Sequence, residues 1–127
     1  MSLLKPTHSG GIVKHLPKGR NHSKYTISVG SKPICIGILG GGQLARMSAV
    51  ATRRMGIDVA ILDAEKDSPA GQVASIEFIG NASNKKLLKD FSSVCDVITL
   101  ENEFIDYHIL EYIESLGKKV YPSSLTI

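Results

Sequence analysis

From Ile34 onward the chain alternates short apolar runs with amphipathic stretches, and the pattern repeats roughly every 25–30 residues. The run at 34–39 is continuous and rich in β-branched residues, which predicts a strand buried on both faces. Gly40, Gly41 and Gly42 break it, and a helix is predicted over 43–55. On that helix Leu44, Met47, Ala51 and Met55 share one face, so they are expected to pack on the sheet. Gly56 stops the helix, and residues 58–63, apolar in the middle and acidic at both ends, predict a second strand. A polar loop through Pro69, Ala70, Gly71 and Gln72 leads to a third strand near 75–79. Asn81 to Asn84 form a turn with capping residues, followed by a helix over 85–94 that packs through Leu87, Leu88 and Phe91. A fourth strand at 97–100, a helix over 107–116 and a short fifth strand at 120–121 complete the series.

Repeated β-α units with short loops demand right-handed crossovers. The expected fold is therefore α/β: a Rossmann-like, doubly wound parallel sheet of strand order 3-2-1-4-5. Ligands in such sheets bind beyond the carboxyl ends of the strands where the order reverses, here strands one and four.

Composition adds limits. With 127 residues and 43% hydrophobic content, the chain has room for one globular domain, expected over 33–127. No apolar run approaches the ~20 residues of a membrane-spanning helix. Cys35 and Cys95 fall within or beside apolar elements and are expected to be buried free thiols, as in a reducing, intracellular compartment. Charge is segregated: residues 1–57 carry nine Lys or Arg and no acid, whereas residues 58–127 carry six bases and all twelve acids. Residues 1–32 are basic, Ser- and Gly-containing and without sustained period, which predicts a disordered extension. A transit segment to a plastid or mitochondrion is the alternative for that stretch; otherwise the cytoplasm is expected. Nucleic-acid binding is not expected, since Tyr25 is the only aromatic there.

The candidate chemistry sits at the strand ends. Gly40-x-Gly42-x-x-Ala45 fits the G-x-G-x-x-A form of a dinucleotide fingerprint, with helix N–H groups facing any anion. Asp63, about 20 residues further on, stands where an acid would hold a ribose hydroxyl or simply cap the next loop. Glu101 and Glu103 argue against a dinucleotide, because two carboxylates facing the same crevice repel a pyrophosphate and suit an amine or amidine-like ring. Arg46, Arg53 and Arg54 are expected on a solvated helix face, and Arg46 lies close to the turn. His108 lacks a second metal-ligating neighbour and reads as a surface residue. Tyr107, Tyr112 and Tyr121 are spaced for packing.

Four ordered motifs then carry a resemblance. They are Gly40 to Met47, Leu62-Asp63 with Ser68-Pro69-Ala70-Gly71-Gln72-Val73-Ala74, Cys95 to Glu103, and Val120-Tyr121-Pro122-Ser123. Together they resemble the N-terminal, pre-ATP-grasp domain of N5-carboxyaminoimidazole ribonucleotide synthetase, in fungi and plants the leading part of phosphoribosylaminoimidazole carboxylase. The resemblance implies purine biosynthesis: ATP activates bicarbonate as carboxyphosphate, and the amine of 5-aminoimidazole ribonucleotide is carboxylated. It implies substrate contacts from Gly41, Gly42, Gln43, Leu44 and Glu101, with Glu103 a weaker candidate, and substrate phosphate near the Gly42 N–H groups. Gln43 stands where a glycinamide-ribonucleotide relative usually has Glu, which favours the aminoimidazole substrate. Family members are homodimers at full length, and ATP and magnesium bind in ATP-grasp domains that residues 1–127 do not include. No catalytic or metal-binding residue is therefore expected in this chain. A stand-alone nucleotide-binding module and a nicotinamide-dependent oxidoreductase domain are the competing readings.

Overall fold

In the computed structural model the described residues are 3–6, 12–15, 28–29, 32–102 and 104–125. Its centre is a parallel run of five strands. β5 (Cys35–Leu39) lies between β6 (Asp58–Asp63) and β8 (Val97–Leu100), with β7 (Ile76–Ile79) outside β6 and β9 (Lys119–Tyr121) outside β8. In order of appearance these are strands three, two, one, four and five, as the β-α periodicity implies. The order reverses between β5 and β8, which opens a crevice beyond their carboxyl ends.

Of the extension expected over 1–32, only residues 3–6, 12–15, 28–29 and 32 are described, and the rest of that expectation lies outside the described residues. β1 (Leu3–Pro6) and β2 (Ile12–His15) pair antiparallel, and β2 continues onto β7, with Ile12 opposite Ile79 and His15 opposite Ile76. β3 (Ser28–Val29) and β4 (Lys32–Pro33) form a separate two-stranded pair. The physical reason is the outer edge of β7, whose row of unpaired N–H and C=O groups accepts further backbone whatever its side chains. Edge pairing of this kind leaves no hydrophobic period to read.

Side chains alternate between the two faces of the sheet. From β6, Val59 and Ile61 point to one side and Ala60 and Leu62 to the other. One side is covered by α2 (Lys85–Ser93) and α3 (Tyr107–Ser115), which bury Leu87, Leu88, Phe91, Leu110 and Ile113 completely or nearly so. Phe78 and Phe91 meet edge to face there, with ring centroids 5.6 Å apart. Both helices are capped by side chains: the Leu87 N–H donates to Asn84 Oδ1 (3.1 Å) and the His108 N–H to Asp106 Oδ1 (2.9 Å). The two cysteines are buried and unpaired in this layer. A hydrogen bond with Cys35, then burial, pushes the Cys95 thiol well above its usual pKa.

The opposite side carries α1 (Gln43–Arg54), and here the expected helix face is corrected. Ala45 and Ala49 meet the sheet, while Leu44, Met47 and Met55 are 64%, 68% and 56% exposed and Ala51 is exposed as well. The segment 68–74 lies against α1 and buries Ala70 and Ala74 beside Ile38, Val59 and Ile61. Small residues therefore win the interior, because only they let the helix and this segment share one face of a narrow sheet. Arg46 and Arg53 are corrected too: neither lies on a solvated face. Arg46 Nη1 donates to the Pro69 carbonyl and to Gln72 Oε1 (both 3.0 Å), and Arg53 Nη1 donates to the Val73 carbonyl (3.1 Å). Tyr107 and Tyr121 are about half exposed, so packing accounts for only part of each ring.

Candidate functional site: the glycine turn and its two acids

The turn after β5 is shaped by what it touches. The Gly40 N–H donates to the Leu62 carbonyl (2.9 Å), and Gly40 has φ +105°, a conformation that favours glycine. A Cβ on Gly40 would lie 2.9 Å from the Glu101 Cβ, and one on Gly42 would lie 2.6 Å from Glu101 Oε2. A Cβ on Gly41 would collide with the Ser68 hydroxyl. Every glycine of the turn is thus needed to let an acid or a loop approach the backbone.

Gly42 occupies the N-cap of α1 and has no side chain to cap it. Glu101, delivered by the end of β8, does so instead: the Ala45 N–H donates to its Oε2 (3.1 Å). The Glu101 N–H in turn donates to the Leu39 carbonyl (3.0 Å), which fixes the carboxylate over the turn. A carboxylate held at a helix N-terminus is favoured by the helix dipole. Asp63 plays the matching part from β6. Its Oδ1 accepts from the Gly41 N–H (3.1 Å) and its Oδ2 from the Glu65 N–H (3.0 Å). Both oxygens are therefore engaged by backbone, which is a loop-capping contact. The N–H groups of Gly42, Gln43 and Leu44 make no hydrogen bond among the described residues, as the first turn of a helix requires.

These groups line a crevice of about 350 Å³ bounded by Gly41, Gly42, Asp63, Ser68, Pro69 and Glu101. Gln43 and Leu44 are exposed on the first turn of α1, next to Gly42 in sequence but not among the residues that line the crevice. The structure thus brings together Gly41, Gly42, Asp63 and Glu101; Glu103 lies outside the described residues. Two contributors went unread in the sequence as site-shaping residues. Ser68, 2% exposed, accepts the Gly71 N–H (3.1 Å) and presses on Gly41, while the Ala70 N–H donates to the Gly41 carbonyl (2.8 Å). Arg46 pins the same loop to α1. Their signal was present: Ser68-Pro69-Ala70-Gly71 is a turn-forming run, and Arg46 follows the glycines by one helical turn.

Comparison with known proteins decides the family. The model of the ribonucleotide synthetase preATP-grasp domain matches residues 34–127. The chain belongs to that family. A N5-carboxyaminoimidazole ribonucleotide synthase of Bacillus subtilis is 43% identical over 79 residues, 62% of this chain and 21% of the relative. A chloroplastic phosphoribosylaminoimidazole carboxylase of Vigna aconitifolia is 33% identical over 94 residues, 74% of this chain and 17% of the relative. Among solved structures, an ADP complex of an N5-carboxyaminoimidazole ribonucleotide synthetase superposes with a TM-score of 0.69 at 39% identity, covering 80% of this chain and 26% of the other. The Aspergillus clavatus synthase crystallised with ADP and 5-aminoimidazole ribonucleotide gives a TM-score of 0.61 at 35% identity, covering 68% and 23%. The chain therefore spans about a sixth to a quarter of the length of these relatives. No helix among the described residues is long and apolar enough to cross a membrane.

Proposed function

We propose that this preATP-grasp domain holds 5-aminoimidazole ribonucleotide for carboxylation by the remainder of a synthetase of purine biosynthesis. The observation that carries the reading is the Glu101 carboxylate, locked over the glycine turn at the point where the strand order reverses, inside a family with a member crystallised with that ribonucleotide. Glu101 and Asp63 both converge on the turn, so the crevice is acidic. An acidic crevice attracts the amine and ring N–H of an aminoimidazole and repels a phosphate. The base end of the substrate accordingly faces Glu101, with Gln43 and Leu44 on the first turn of α1 contacting the ring or ribose, and the phosphate points away from the turn. The Glu101 carboxylate beside Gly42, held by the Ala45 N–H, opposes a phosphate at that turn. Glu103 is the weaker candidate contact.

Catalysis belongs to the assembled enzyme. ATP, with magnesium, supplies the activation of bicarbonate there; this domain orients the amine and keeps the ribonucleotide in place. An ATP-grasp part is the partner this requires, and a homodimer is the assembly proposed for the whole. The described residues bring together no group of three His, Cys, Asp or Glu side chains fit to hold a metal ion. An intracellular location, cytoplasmic or in a plastid, follows for an enzyme of this pathway.

The test is calorimetric titration of the chain with 5-aminoimidazole ribonucleotide, with NAD as the control. Glu101→Gln is the informative variant, since its amide oxygen still accepts the Ala45 N–H while the charge is removed. Saturable binding that Glu101→Gln weakens about tenfold or more is expected, the range of a lost charge-assisted hydrogen bond. NAD binding with no ribonucleotide binding overturns the proposal.

A further inference from the structure

A second crevice lies on the other side of Gly40, toward α2 and α3, and the reading above does not use it. Its volume is about 280 Å³, and Leu39 and Leu62 form its apolar floor. Asn81, after β7, and Asn102, after β8, line it. Asn81 Oδ1 accepts from the N–H and the hydroxyl of Ser83 (both 2.8 Å), and Asn102 Oδ1 accepts from the Phe104 N–H (3.0 Å). A backbone N–H can be accepted only by the amide oxygen, so both orientations are fixed and both NH₂ groups are left to donate elsewhere. The Phe104 ring lines the same crevice and is 87% exposed. Asp63 closes a further side, and none of the described lining residues is Lys, Arg or His.

We infer that this crevice is a ligand site for an uncharged planar heterocycle, a nucleobase or a nucleoside without its phosphate. Four features converge on that class. An exposed aromatic ring beside an apolar floor offers a stacking face to any base. Two side-chain amide donors on the rim match the ring-nitrogen and carbonyl acceptors of such a heterocycle. An acid without a neighbouring cation rejects phosphate, which would otherwise need Arg, Lys or free helix N–H groups. The volume of about 280 Å³ lies just below the roughly 300–1,000 Å³ typical of ligand pockets, which suits a single small heterocycle or nucleoside and nothing larger. The site is separate from the Glu101 turn, sharing with it only Asp63 and Ala64 among the lining residues of the two crevices.

The experiment is an NMR titration of the full 127-residue chain, isotopically labelled, with adenosine and in parallel with AMP. Adenosine is expected to shift the Asn81 and Asn102 side-chain amides and the Gly40 and Ala82 N–H signals saturably. AMP is expected to bind several-fold more weakly. Phe104→Ala should weaken adenosine at least fivefold, as loss of one stacking partner does, while leaving the core signals of Phe91 and Ile98 in place as proof of folding. Absence of saturable shifts, shifts confined to Gly42, Gln43 and Glu101, AMP binding as tightly as adenosine, or a Phe104→Ala chain that binds adenosine normally would each overturn the inference. Ribonucleotide binding at Glu101 is read by different residues, so either proposal can fail without the other.

Discussion

The two faces of the sheet are built on opposite principles. Toward α2 and α3 the space is filled by volume: Leu87, Leu88, Phe91, Leu110 and Ile113 lock against Phe78, Ile98 and Val120. Toward α1 the interior is mostly alanine, and the helix is held by polar ties at both ends, Glu101 to the Ala45 N–H and Arg46 and Arg53 to the carbonyls of Pro69 and Val73. Apolar volume is non-directional and yields stability. Hydrogen bonds to charged groups are directional, and they set where a helix starts to within a fraction of an ångström. The face that carries the Glu101 turn is therefore the one built for position, and the opposite face is the one built for stability.

The strongest way to break this contrast is to empty the voluminous face. Phe91→Ala is expected to cost ~3–5 kcal/mol, the range for a large aromatic lost from a packed core. Urea unfolding followed by circular dichroism measures it. A loss below ~1 kcal/mol would mean that stability is not concentrated where the large side chains are.

Filling the other face should do something different. Ala49 is fully buried under α1, and Ala49→Leu is expected to destabilise by ~1–3 kcal/mol through overpacking. More telling is its effect on the turn. A larger side chain lifts α1 and stretches the 3.1 Å contact between the Ala45 N–H and Glu101, so ribonucleotide affinity should fall as well. Leu88→Val on the opposite face serves as the control, since it lowers stability without touching the turn. Equal affinities for the two variants would remove the distinction between position and stability.

Alkaline pH probes the voluminous face without mutation. The folded chain holds the Cys95 thiol protonated far above the usual thiol range, through its hydrogen bond with Cys35 and its burial. The unfolded chain releases that proton near the ordinary value of about 8.5. Above that pH the unfolded state binds fewer protons than the native one, so the stability that is fully present below it is lost as pH rises, by up to about 1.4 kcal/mol per pH unit. Unfolding midpoints measured in steps from neutral to alkaline pH, with Cys95→Ala as the reference, check this. A chain whose pH dependence matches that of the variant would show that the thiol ionises freely in the fold.

How far the sequence foretells all this depends on which face is asked. The parallel strands, their order and the α2/α3 layer were legible, because continuous apolar strands and the Leu87-Leu88-Phe91 spacing are volume signals. The glycine turn was legible as a tight strand-to-helix turn, and Glu101 as a residue facing it. That Glu101 serves as a cap was not, since capping from a distant strand leaves no mark at the helix itself, where Gly42 offers none; the loop-capping contact of Asp63 was one of the two readings its position allows. The orientation of α1 was misread for a related reason. Leu44, Met47, Ala51 and Met55 form the more apolar stripe, but Ala45 and Ala49 win the interior because a close helix and an inserted loop leave space only for methyl groups. The antiparallel pairing of β1 with β2 and of β2 with β7 had no pattern to announce it.

That exposed stripe supplies the last and smallest effect. Met47 is 68% exposed and Met55 56%, so neither buries enough area in this chain to matter to its stability. Met47→Gln and Met55→Gln are each expected to change stability by no more than ~0.5 kcal/mol, the range of surface substitutions. The same substitutions at Leu87 and Leu88, at helical positions no more apolar, should cost several times that through buried, unpaired amides. Urea denaturation of the four single variants side by side is the measurement. If the methionine variants lost as much as the leucine variants, α1 would be packed on the sheet through the stripe that its apolar pattern favours, and the division of the two faces into volume and position would not stand.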